Sequence, residues 1–461
     1  FRYYLISLIY IQLIISKLRT IFKFILLLIM CIPFYGLSQG FGLSNGKKVE
    51  KIKFKLINNL IIIPIEVNGA ELSFILDSGV SKPILFNVSD QDSVQLRNVS
   101  EITINGLGGG EPIKGLSSKN NFFRLNEIRN YNQLLYVVLD KEMNFSPSLG
   151  IPIHGIIGYD LFRDFVVEIN YSAEYIKFHD PEFYKEKENK KSKTLPIAIR
   201  RNKAYIDGNI GLSAAKDVPV KLLIDTGSSD AVWLFQDEEK GLGIPEKNYQ
   251  DFLGEGLNGS IFGKRTKVNA INLGGFALKE AKAAFPDMET FSTSLVSGNR
   301  NGSIGGAILK RFNIVFNYPA KQITLKKNRH FSAPFQYNMS GLQLQHNGVR
   351  YIADRIADSR GFVINSNRKF GDVQILMENQ TRLSLVPEII VSGIRAGSPA
   401  ELAGLQEGDI ILAVNGRRIH SYKLQEVMNM LNEKEGKRVK VLIERYNKDL
   451  LFSFVLKKAF K

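Results

Sequence analysis

Cysteine is almost missing from this chain of 461 residues, because Cys31 is the only one. A single thiol cannot form a disulfide within the chain. Cys31 also lies inside an apolar N-terminal run that resembles an export signal, so removal of that run would leave no thiol at all. The sequence therefore excludes a cysteine nucleophile, a thiolate metal site and a disulfide framework from the rest of the chain.

Histidine is also scarce, and the sequence lacks the context that several common hydrolases need for their motifs. The five histidines show no paired spacing of the kind that binds zinc on a helix. The pattern Gly-x-Ser-x-Gly, which marks many serine hydrolases, occurs at 42–46 (GLSNG), but no predicted helix follows it there, as a nucleophile turn requires. The sequence thus gives no support for a zinc site or a nucleophilic serine, and we expect the protein to use no metal or cofactor.

Positive charge is in excess, but it is not concentrated. The formal net charge is +16, and four of the basic residues fall within the first forty positions. The others are interspersed with acids, and no basic stripe with interleaved aromatic residues is present. This pattern is typical of a solvated surface, so we expect no nucleic-acid partner.

The first forty residues differ in composition from the rest. Basic residues between positions 17 and 23 precede the apolar run 24–34, and small residues follow. This order is typical of a signal peptide. The alternative is a membrane anchor, because a second apolar stretch at 4–15 would let the combined runs span a bilayer. We therefore predict that 1–40 is a signal peptide or N-terminal membrane segment, and that the protein is exported to the bacterial periplasm or cell envelope. Contact with a membrane is expected only through this segment, if it is not cleaved.

The strongest organisational signal is an internal repeat with a period of about 148 residues. Residues 72–79 (LSFILDSG) correspond to 220–227 (VKLLIDTG), and each is an apolar run that ends in an aspartate, a hydroxyl residue and a glycine. Two further pairs of landmarks keep the same order: 106–110 (GLGGG) with 256–260 (GLNGS), and 155–158 (GIIG) with 302–305 (GSIG). The chain therefore contains two copies of one unit.

Short runs of β-branched and aromatic residues predict strands in both copies. The clearest runs are 60–67, 166–170, 314–316 and 322–325, bounded by Gly, Asn, Pro or Ser. Each copy is thus predicted to be a small, mostly β lobe, the first over 41–184 and the second over 194–330. The charged run 185–193 between them has no apolar periodicity and is predicted to be a linker.

The repeated aspartates, Asp77 and Asp225, are the candidate catalytic residues. Two carboxyls held about 3 Å apart cannot both ionise, so the pair keeps one proton and offers both an acid and a base. A glycine after the hydroxyl residue lets the backbone approach the carboxylates. The hydroxyl residue is placed to hydrogen-bond across the lobe interface. The predicted supporting residues are Ser78, Gly79, Thr226 and Gly227.

The two glycine-rich segments are predicted to be mobile hairpins that fold over an extended substrate. Their substrate-binding residues are expected at the turns: Gly108, Gly109, Gly110, Asn258, Gly259 and Ser260. A phosphate-binding loop is disfavoured because neither run is followed by Gly-Lys-Ser or Gly-Lys-Thr. A flexible turn without function is the alternative that stays open.

With these motifs, the chain resembles the retropepsin-like aspartic proteases. The resemblance covers 51–327 and rests on the two aspartate motifs, each followed by an apolar segment that ends in glycine. The chain departs from the family at Ser303, where an apolar residue is usual, and in lacking the flap tyrosine of pepsins. The resemblance implies a mostly β fold of two pseudo-symmetric lobes, aspartic endopeptidase activity on a polypeptide substrate, and catalysis by the monomer.

The last part of the chain resembles a PDZ domain. A dense series of turn and strand signals carries the resemblance: 397–400 (GSPA), 403–405 (AGL), 408–411 (GDII) and 414–416 (VNG). It implies an α+β domain over 335–461 that binds a peptide or protein C-terminus by adding it as a strand. The binding residues are expected on an opening strand, whose first N–H groups would meet the carboxylate, and on a groove helix: Gly341, Leu342, Leu344, Leu424 and Met428. The stretch 345–388 receives no assignment.

A function of a different class is also open, namely a degenerate protease fold that only binds peptides as a scaffold in the envelope. The fold alone does not decide between the two. Both copies keep their aspartate, however, and a binding module gains nothing from two buried carboxyls that face each other at a cost in stability. The sequence therefore favours catalysis.

Overall fold

The computed structural model describes residues 40–87, 94–104, 106, 108, 110–140, 143–186, 189–213, 216–288, 300–355 and 381–459, together with 17–19 and 23. The predicted N-terminal segment lies almost entirely outside the described residues, and so does Gly109. Within the described part of the chain, no helix has both the length and the apolar character that a membrane span requires. The chain divides into two compact units, and the second, Gly40–Lys461, contains every element below.

The first half of this unit is a lobe of short strands. The strands are β1 (Gly42–Leu43), β2 (Val49–Lys53), β3 (Lys55–Ile57), β4 (Leu60–Val67), β5 (Ala70–Leu76), β6 (Ile84–Leu85), β7 (Val99–Ile104), β8 (Ile113–Leu125), β9 (Ile128–Val138), β10 (Gly155–Ile157), β11 (Val166–Asn170) and β12 (Tyr175–His179), and the helices are α1 (Ser146–Leu149) and α2 (Tyr159–Asp164). One sheet has the order β1-β9-β6-β10-β5-β4-β8-β7, with β3 beside β4.

The second half repeats this design. Its strands are β13 (Ser192–Pro196), β14 (Ala198–Arg200), β15 (Lys203–Ser213), β16 (Lys216–Ile224), β17 (Val232–Leu234), β18 (Tyr249–Gly256), β19 (Gly259–Leu273), β20 (Phe276–Pro286), β21 (Gly302–Ile304), β22 (Phe312–Asn317) and β23 (Gln322–Lys327), and its helix is α3 (Gly306–Leu309). The sheet order is β14-β15-β16-β21-β17-β20-β19-β18. Strand β21 runs parallel to β16 as β10 does to β5, and antiparallel to β17 as β10 does to β6.

A third sheet joins the two lobes, in the order β13-β23-β22-β11-β12-β2. At its centre β11 and β22 pair antiparallel, with Ile169 opposite Ile314. Both of these side chains are fully buried. Each lobe therefore contributes its equivalent strand to one shared core, which fixes the lobes against each other.

The predicted strands correspond closely to observed ones. The run 60–67 coincides with β4, and 166–170 coincides with β11, while 314–316 and 322–325 lie within β22 and β23. The first four residues of β4 are all buried because both faces of this strand are covered. The prediction of a mostly β fold with two similar lobes is confirmed. The first strand of the second half begins at Ser192, within the run predicted to be a linker.

The C-terminal part is an α+β domain with its own core. Its strands are β24 (Leu342–Arg355), β25 (Thr381–Ile394), β26 (Ile410–Val414), β27 (Arg417–Arg418), β28 (Arg438–Arg445) and β29 (Lys448–Val455), and its helices are α4 (Pro399–Leu402) and α5 (Leu424–Met430). The described strands run in the order β24-β25-β26-β28-β29. As far as it is described, the unassigned stretch 345–388 extends β24 and β25 into a long antiparallel pair with two irregularities in register.

Candidate active site

Asp77 and Asp225 occupy the same position in the two lobes. Each follows the last residue of a buried central strand, β5 or β16. The Asp77 N–H donates to the carbonyl oxygen of Ile157 at 2.8 Å, and the Asp225 N–H donates to that of Ile304 at 2.9 Å. The residues just before the aspartates are fully buried. Each aspartate is therefore held on a loop whose two sides are anchored in a packed sheet.

Ser78 and Thr226 tie the two loops together by crossed hydrogen bonds. The Ser78 N–H donates to Oγ1 of Thr226 at 2.9 Å, and the Thr226 N–H donates to Oγ of Ser78 at 3.1 Å. Each hydroxyl then donates to the opposite lobe. The Ser78 hydroxyl reaches the carbonyl oxygen of Ile224 at 2.7 Å. The Thr226 hydroxyl reaches that of Leu76 at 2.7 Å. Both residues are completely buried, so these bonds form without competition from water.

Gly79 and Gly227 lie against the carboxyl of the opposite lobe. A Cβ atom at Gly227 would lie 2.2 Å from Cγ of Asp77, and one at Gly79 would lie 3.2 Å from Oδ1 of Asp225. Each glycine N–H also donates to the aspartate of its own lobe, at 2.6 Å for Gly79 and 3.1 Å for Gly227. Any side chain at position 227 would displace Asp77. The glycines therefore make room for two carboxyls that meet between the lobes.

The surroundings of the two carboxyls favour protonation of Asp77. Burial of the loop raises the pKa of Asp77 to about 8, and the negative charge of Asp225 and a hydrogen bond between the two side chains act in the same direction. The Gly79 N–H and the ammonium of Lys203 oppose this rise without cancelling it. A pKa of about 8 keeps Asp77 protonated at neutral pH. A protonated carboxyl beside a second carboxyl is the arrangement that supplies an acid and a base at one point.

The predicted hairpins exist, and their tips meet. They are β7 with β8 and β18 with β19. Asn258, at the second turn, accepts from the Gly106 N–H at 2.5 Å through its side-chain oxygen and donates to the carbonyl oxygen of Glu111 at 2.7 Å. Its backbone carbonyl also accepts from the Gly110 N–H at 2.8 Å. Asn258 therefore joins the hairpin tips of the two lobes.

The other predicted hairpin residues have differing surroundings. A Cβ atom at Gly108 would lie 2.4 Å from the backbone carbon of Asn258, so this glycine permits the close approach of the tips. Gly259 has a φ of +102° and open space around it, as a turn residue does. Ser260 donates to a carboxylate oxygen of Glu255 at 2.7 Å on the exposed side of its hairpin.

The predicted peptide-binding residues of the C-terminal domain are already engaged within it. Leu342, Leu344 and Leu424 are buried in the core of the domain, and Met428 packs against that core. The Gly341 N–H donates to Oδ1 of Asn338 at 2.8 Å. The Leu342 N–H donates to Oγ of Ser340 at 3.2 Å. A peptide carboxylate would have to replace these acceptors to use the two donors expected for it.

A loop of the first lobe lies at the groove between β24 and α5. The loop is α1 with Gly150, and α1 lies against β24. A Cβ atom at Gly150 would lie 2.9 Å from Cβ of Leu424 and 3.5 Å from Cε1 of His346. Leu424 begins α5 and His346 is on β24, so Gly150 lies beside both sides of the groove. In this structure the groove is thus closed by a segment of the same chain.

The same loop is connected to the strand that carries Asp77. The Ile153 N–H donates to Oγ of Ser146 in α1 at 2.9 Å. The next residue, His154, donates its N–H to the carbonyl oxygen of Ser73 at 2.9 Å, and Nδ1 of His154 accepts from the Ser73 N–H at 3.0 Å. Ser73 belongs to β5, four residues before Asp77. The loop at the groove is therefore hydrogen-bonded to the strand that ends at Asp77.

Two cationic side chains near the pair were not identified from the sequence. Lys203 begins β15, and Arg300 lies just before β21. Lys203 interacts electrostatically with both aspartates, and Arg300 interacts with Asp225. Lys203 could have been identified only by pairing β15 with β16 in the correct register, because that pairing sets it near Asp225. No local motif marks either residue.

The sequence of each lobe matches one protein family, and the C-terminal domain matches another. Residues 63–161 and 204–306 match the aspartyl protease family. Each span contains one aspartate of the pair. Residues 390–445 match the PDZ domain family. The resemblances to retropepsin-like aspartic proteases and to PDZ domains are therefore confirmed.

Individual relatives are similar over limited parts of this chain. A Neisseria meningitidis protein named as a zinc metalloprotease is 36% identical over 73 residues, which are 15% of this chain and 16% of the relative. The zinc metalloprotease RasP of Shouchella clausii is 41% identical over 63 residues, 14% of each chain. The chain thus spans about a sixth or less of these relatives. An aspartic proteinase from Irpex lacteus overlaps 62% of this chain and 99% of its own, with a TM-score of 0.39 and 13% identity.

Proposed function

We propose that this chain, which carries a two-lobed aspartyl protease domain followed by a PDZ domain, is an endopeptidase that hydrolyses peptide bonds with water activated between Asp77 and Asp225. The observation that carries the proposal is the crossed set of four hydrogen bonds made by Ser78 and Thr226. These bonds hold two carboxyls in contact, which costs stability and is useful mainly for acid and base chemistry.

The two carboxyls have different roles in the first step. The Asp225 carboxylate takes a proton from water as the water oxygen attacks the carbonyl carbon, and Asp77 gives its proton to the carbonyl oxygen. In the second step Asp225 returns a proton to the amide nitrogen. The C–N bond then breaks, and the new hydroxyl returns a proton to Asp77. Both aspartates finish in their starting states, so no metal or covalent intermediate is needed.

The pH dependence of hydrolysis tests this proposal. Asp77 must be protonated to act as the acid, and burial with the charge of Asp225 raises its pKa to about 8. We therefore expect cleavage of an unfolded protein mixture at acidic and neutral pH, with kcat/KM falling as the pH rises through about 8. Peptide products identified by mass spectrometry provide the measurement. Absence of cleavage at every pH would favour the alternative of a peptide-binding scaffold.

The PDZ domain is proposed to bind a polypeptide, either a substrate tail or a partner, in competition with the α1 loop. Contacts at the groove and in the preceding loop support competition. Gly150 abuts Leu424 and His346 at the groove. The loop donors at Gly341 and Leu342 have internal acceptors. The Arg395 guanidinium also lies 4.8 Å from the ring centroid of Tyr249, in the second hairpin. A peptide that displaces the loop would therefore remove contacts between the PDZ domain and the first lobe.

Substitution of Gly150 by asparagine is expected to increase the affinity of the groove for a C-terminal peptide. Asparagine tolerates the φ of +71° found here, but its Cβ would lie 2.9 Å from that of Leu424 and push the loop away. If the closed groove is the dominant state, opening it should lower the Kd by on the order of tenfold. Fluorescence anisotropy with labelled C-terminal peptides measures this.

The matched control is Gly46→Asn, because Gly46 has a φ of +67° and no atom near its Cβ position. It should bind peptides as the wild type does. Equal Kd values for the wild type and the Gly150 variant would contradict closure of the groove by α1.

We also propose that the protein acts outside the cytoplasm, in the periplasm or cell envelope. The support is the order of basic, apolar and small residues in the first forty positions. The N-terminal sequence of the protein purified from its native cells tests this. A mature chain that begins near position 40 is expected, and a cytoplasmic chain that keeps the apolar run would contradict it.

A further inference from the structure

The residues that face the two aspartates differ in charge between the lobes. In the first lobe, Ile62 pairs with Ile75 across β4 and β5, and continuing this register by two residues sets Leu60 opposite Asp77. In the second lobe, Tyr205 pairs with Leu223 across β15 and β16. The same extension sets Lys203 opposite Asp225. Residues opposite one another in an antiparallel pair have Cβ atoms roughly 5 Å apart.

Arg300 adds a second positive charge on the same side. It lies two residues before Gly302, as Ile153 lies two residues before Gly155 in the first lobe. Ile153 is buried in an apolar cluster that also contains Leu60. The Arg300 guanidinium instead lies 5.2 Å from the ring centroid of Phe235, and its Nε donates to the carbonyl oxygen of Gly302 at 2.9 Å. The second lobe thus has two cations where the first has two apolar side chains.

The two cations have no counter-ion of their own among the described residues. Neither the Lys203 ammonium nor the Arg300 guanidinium forms an ion pair in the described part of the chain, and the two repel each other. Both are partly buried. Burial without a partner lowers the pKa of Lys203 and of Arg300. Burial and the charge of Asp225 raise the pKa of Asp77 to about 8, so at neutral pH the two aspartates do not neutralise both cations. An anion brought by a substrate would restore the balance.

We propose that Lys203 and Arg300 form a subsite for an acidic side chain, aspartate or glutamate, next to the scissile bond. The inference rests on the proposed endopeptidase function and gives it a substrate class. Because the first lobe has no charge at the equivalent positions, the preference applies to one side of the scissile bond only. The carboxylate accepts charge-assisted hydrogen bonds from the ammonium and the guanidinium.

Matched peptides test the subsite. From peptides that the wild type cleaves, pairs are made that carry Glu or Gln at each position flanking the scissile bond. At one position the wild type should cleave the Glu peptide with a kcat/KM about 10 to 100 times that of the Gln peptide. Lys203→Leu, which copies Leu60 of the first lobe, should bring this ratio close to one. Lys203→Arg should keep most of it.

The ratio of kcat/KM for the Glu peptide to that for the Gln peptide distinguishes substrate selectivity from a role of Lys203 in supporting Asp77 and Asp225. If Lys203 only adjusted the charge of Asp77 and Asp225, its replacement would change both peptides equally and leave the ratio unaltered. Equal cleavage of Glu and Gln peptides by the wild type would overturn the inference while leaving the endopeptidase proposal in place.

Measurement of peptide binding tests the acidic-residue subsite without requiring cleavage. The Asp77→Asn variant should bind the Glu peptide more tightly than the Gln peptide by a similar factor, and the added Lys203→Leu change should remove the difference. If no protein cleaves any peptide, the proposed function fails, yet tighter binding of the Glu peptide would still support the cationic subsite. Equal binding of the two peptides would overturn it.

Discussion

Replacing Asp225 by asparagine is expected to lower kcat/KM for peptide hydrolysis by about 10²–10⁴-fold, the usual contribution of a general base. Asparagine keeps the size of the side chain and can still accept from the Gly227 N–H, which lies 3.1 Å from the Asp225 carboxylate. It cannot take a proton from water. The loops stay joined by Ser78 and Thr226, whose hydrogen bonds use hydroxyls and backbone groups only. Lost activity would therefore reflect lost chemistry.

Initial rates on one fluorogenic peptide, measured across pH, provide the comparison. Asp207→Asn is the matched control, because Asp207 is an exposed aspartate of the same lobe that pairs with Lys221 on the surface. Its activity should equal that of the wild type, and circular dichroism should show the same fold for both variants. Wild-type rates in the Asp225 variant would rule out the two-carboxyl mechanism.

Replacing Asp77 by asparagine is expected to remove activity and at the same time to stabilise the fold near neutral pH. The pKa of Asp77 is raised to about 8 in the folded protein by burial and by Asp225, whereas an unfolded aspartate titrates near 3.9. Between these values the folded state binds a proton that the unfolded state has released. The free energy of unfolding of the wild type therefore falls as the pH rises through this window. Asparagine carries no such penalty.

The free energy of unfolding of Asp77→Asn should exceed that of the wild type by an amount that grows with pH. This difference should be smallest at about pH 4 and increase by up to about 1.4 kcal/mol per pH unit towards pH 8, giving a few kcal/mol in favour of the variant at neutral pH. Chemical denaturation at a series of pH values measures this difference. For the control Asp207→Asn, the difference from the wild type should not grow with pH in this way. A difference independent of pH would mean that Asp77 ionises alike in the folded and unfolded protein.

The two-lobed fold was predictable because short sequence patterns indicate its strands and because these patterns occur in both copies of the repeat. The run 60–67 is apolar and β-branched throughout, and it becomes β4, with four successive buried residues at its start. The meeting of the aspartate loops also follows from the repeat, since two copies of one unit packed about a two-fold axis bring equivalent loops together at the axis. Local pattern and symmetry were sufficient for both features.

Other features depend on contacts that no local pattern encodes. Lys203 faces Asp225 only because β15 and β16 pair in one register. Asn258 joins the hairpin tips through bonds to residues about 150 positions away. The engagement of the Gly341 N–H depends on the side chain of Asn338, and the closure of the groove depends on Gly150 from another domain. Each is a consequence of tertiary packing, which sequence periodicity does not report.

The role expected for the opening strand of the PDZ domain illustrates the same limit. The sequence indicates where the strand lies, and Leu342 and Leu344 are indeed on β24. It does not indicate that the preceding loop supplies its own acceptors. The Met339 N–H donates to Oδ1 of Asn432 at 2.7 Å, which adds a third donor already in use. Whether donors of a loop are free for a ligand depends on side chains distant in the sequence.

The shared proton is tested most directly by infrared difference spectroscopy of the wild type against Asp77→Asn. At about pH 6 the wild type should show one additional C=O stretch of a protonated carboxylic acid, and this band should disappear as the pH is raised through about 8. If both carboxyls instead give only carboxylate bands at pH 6, no proton is held between the lobes and the account is contradicted.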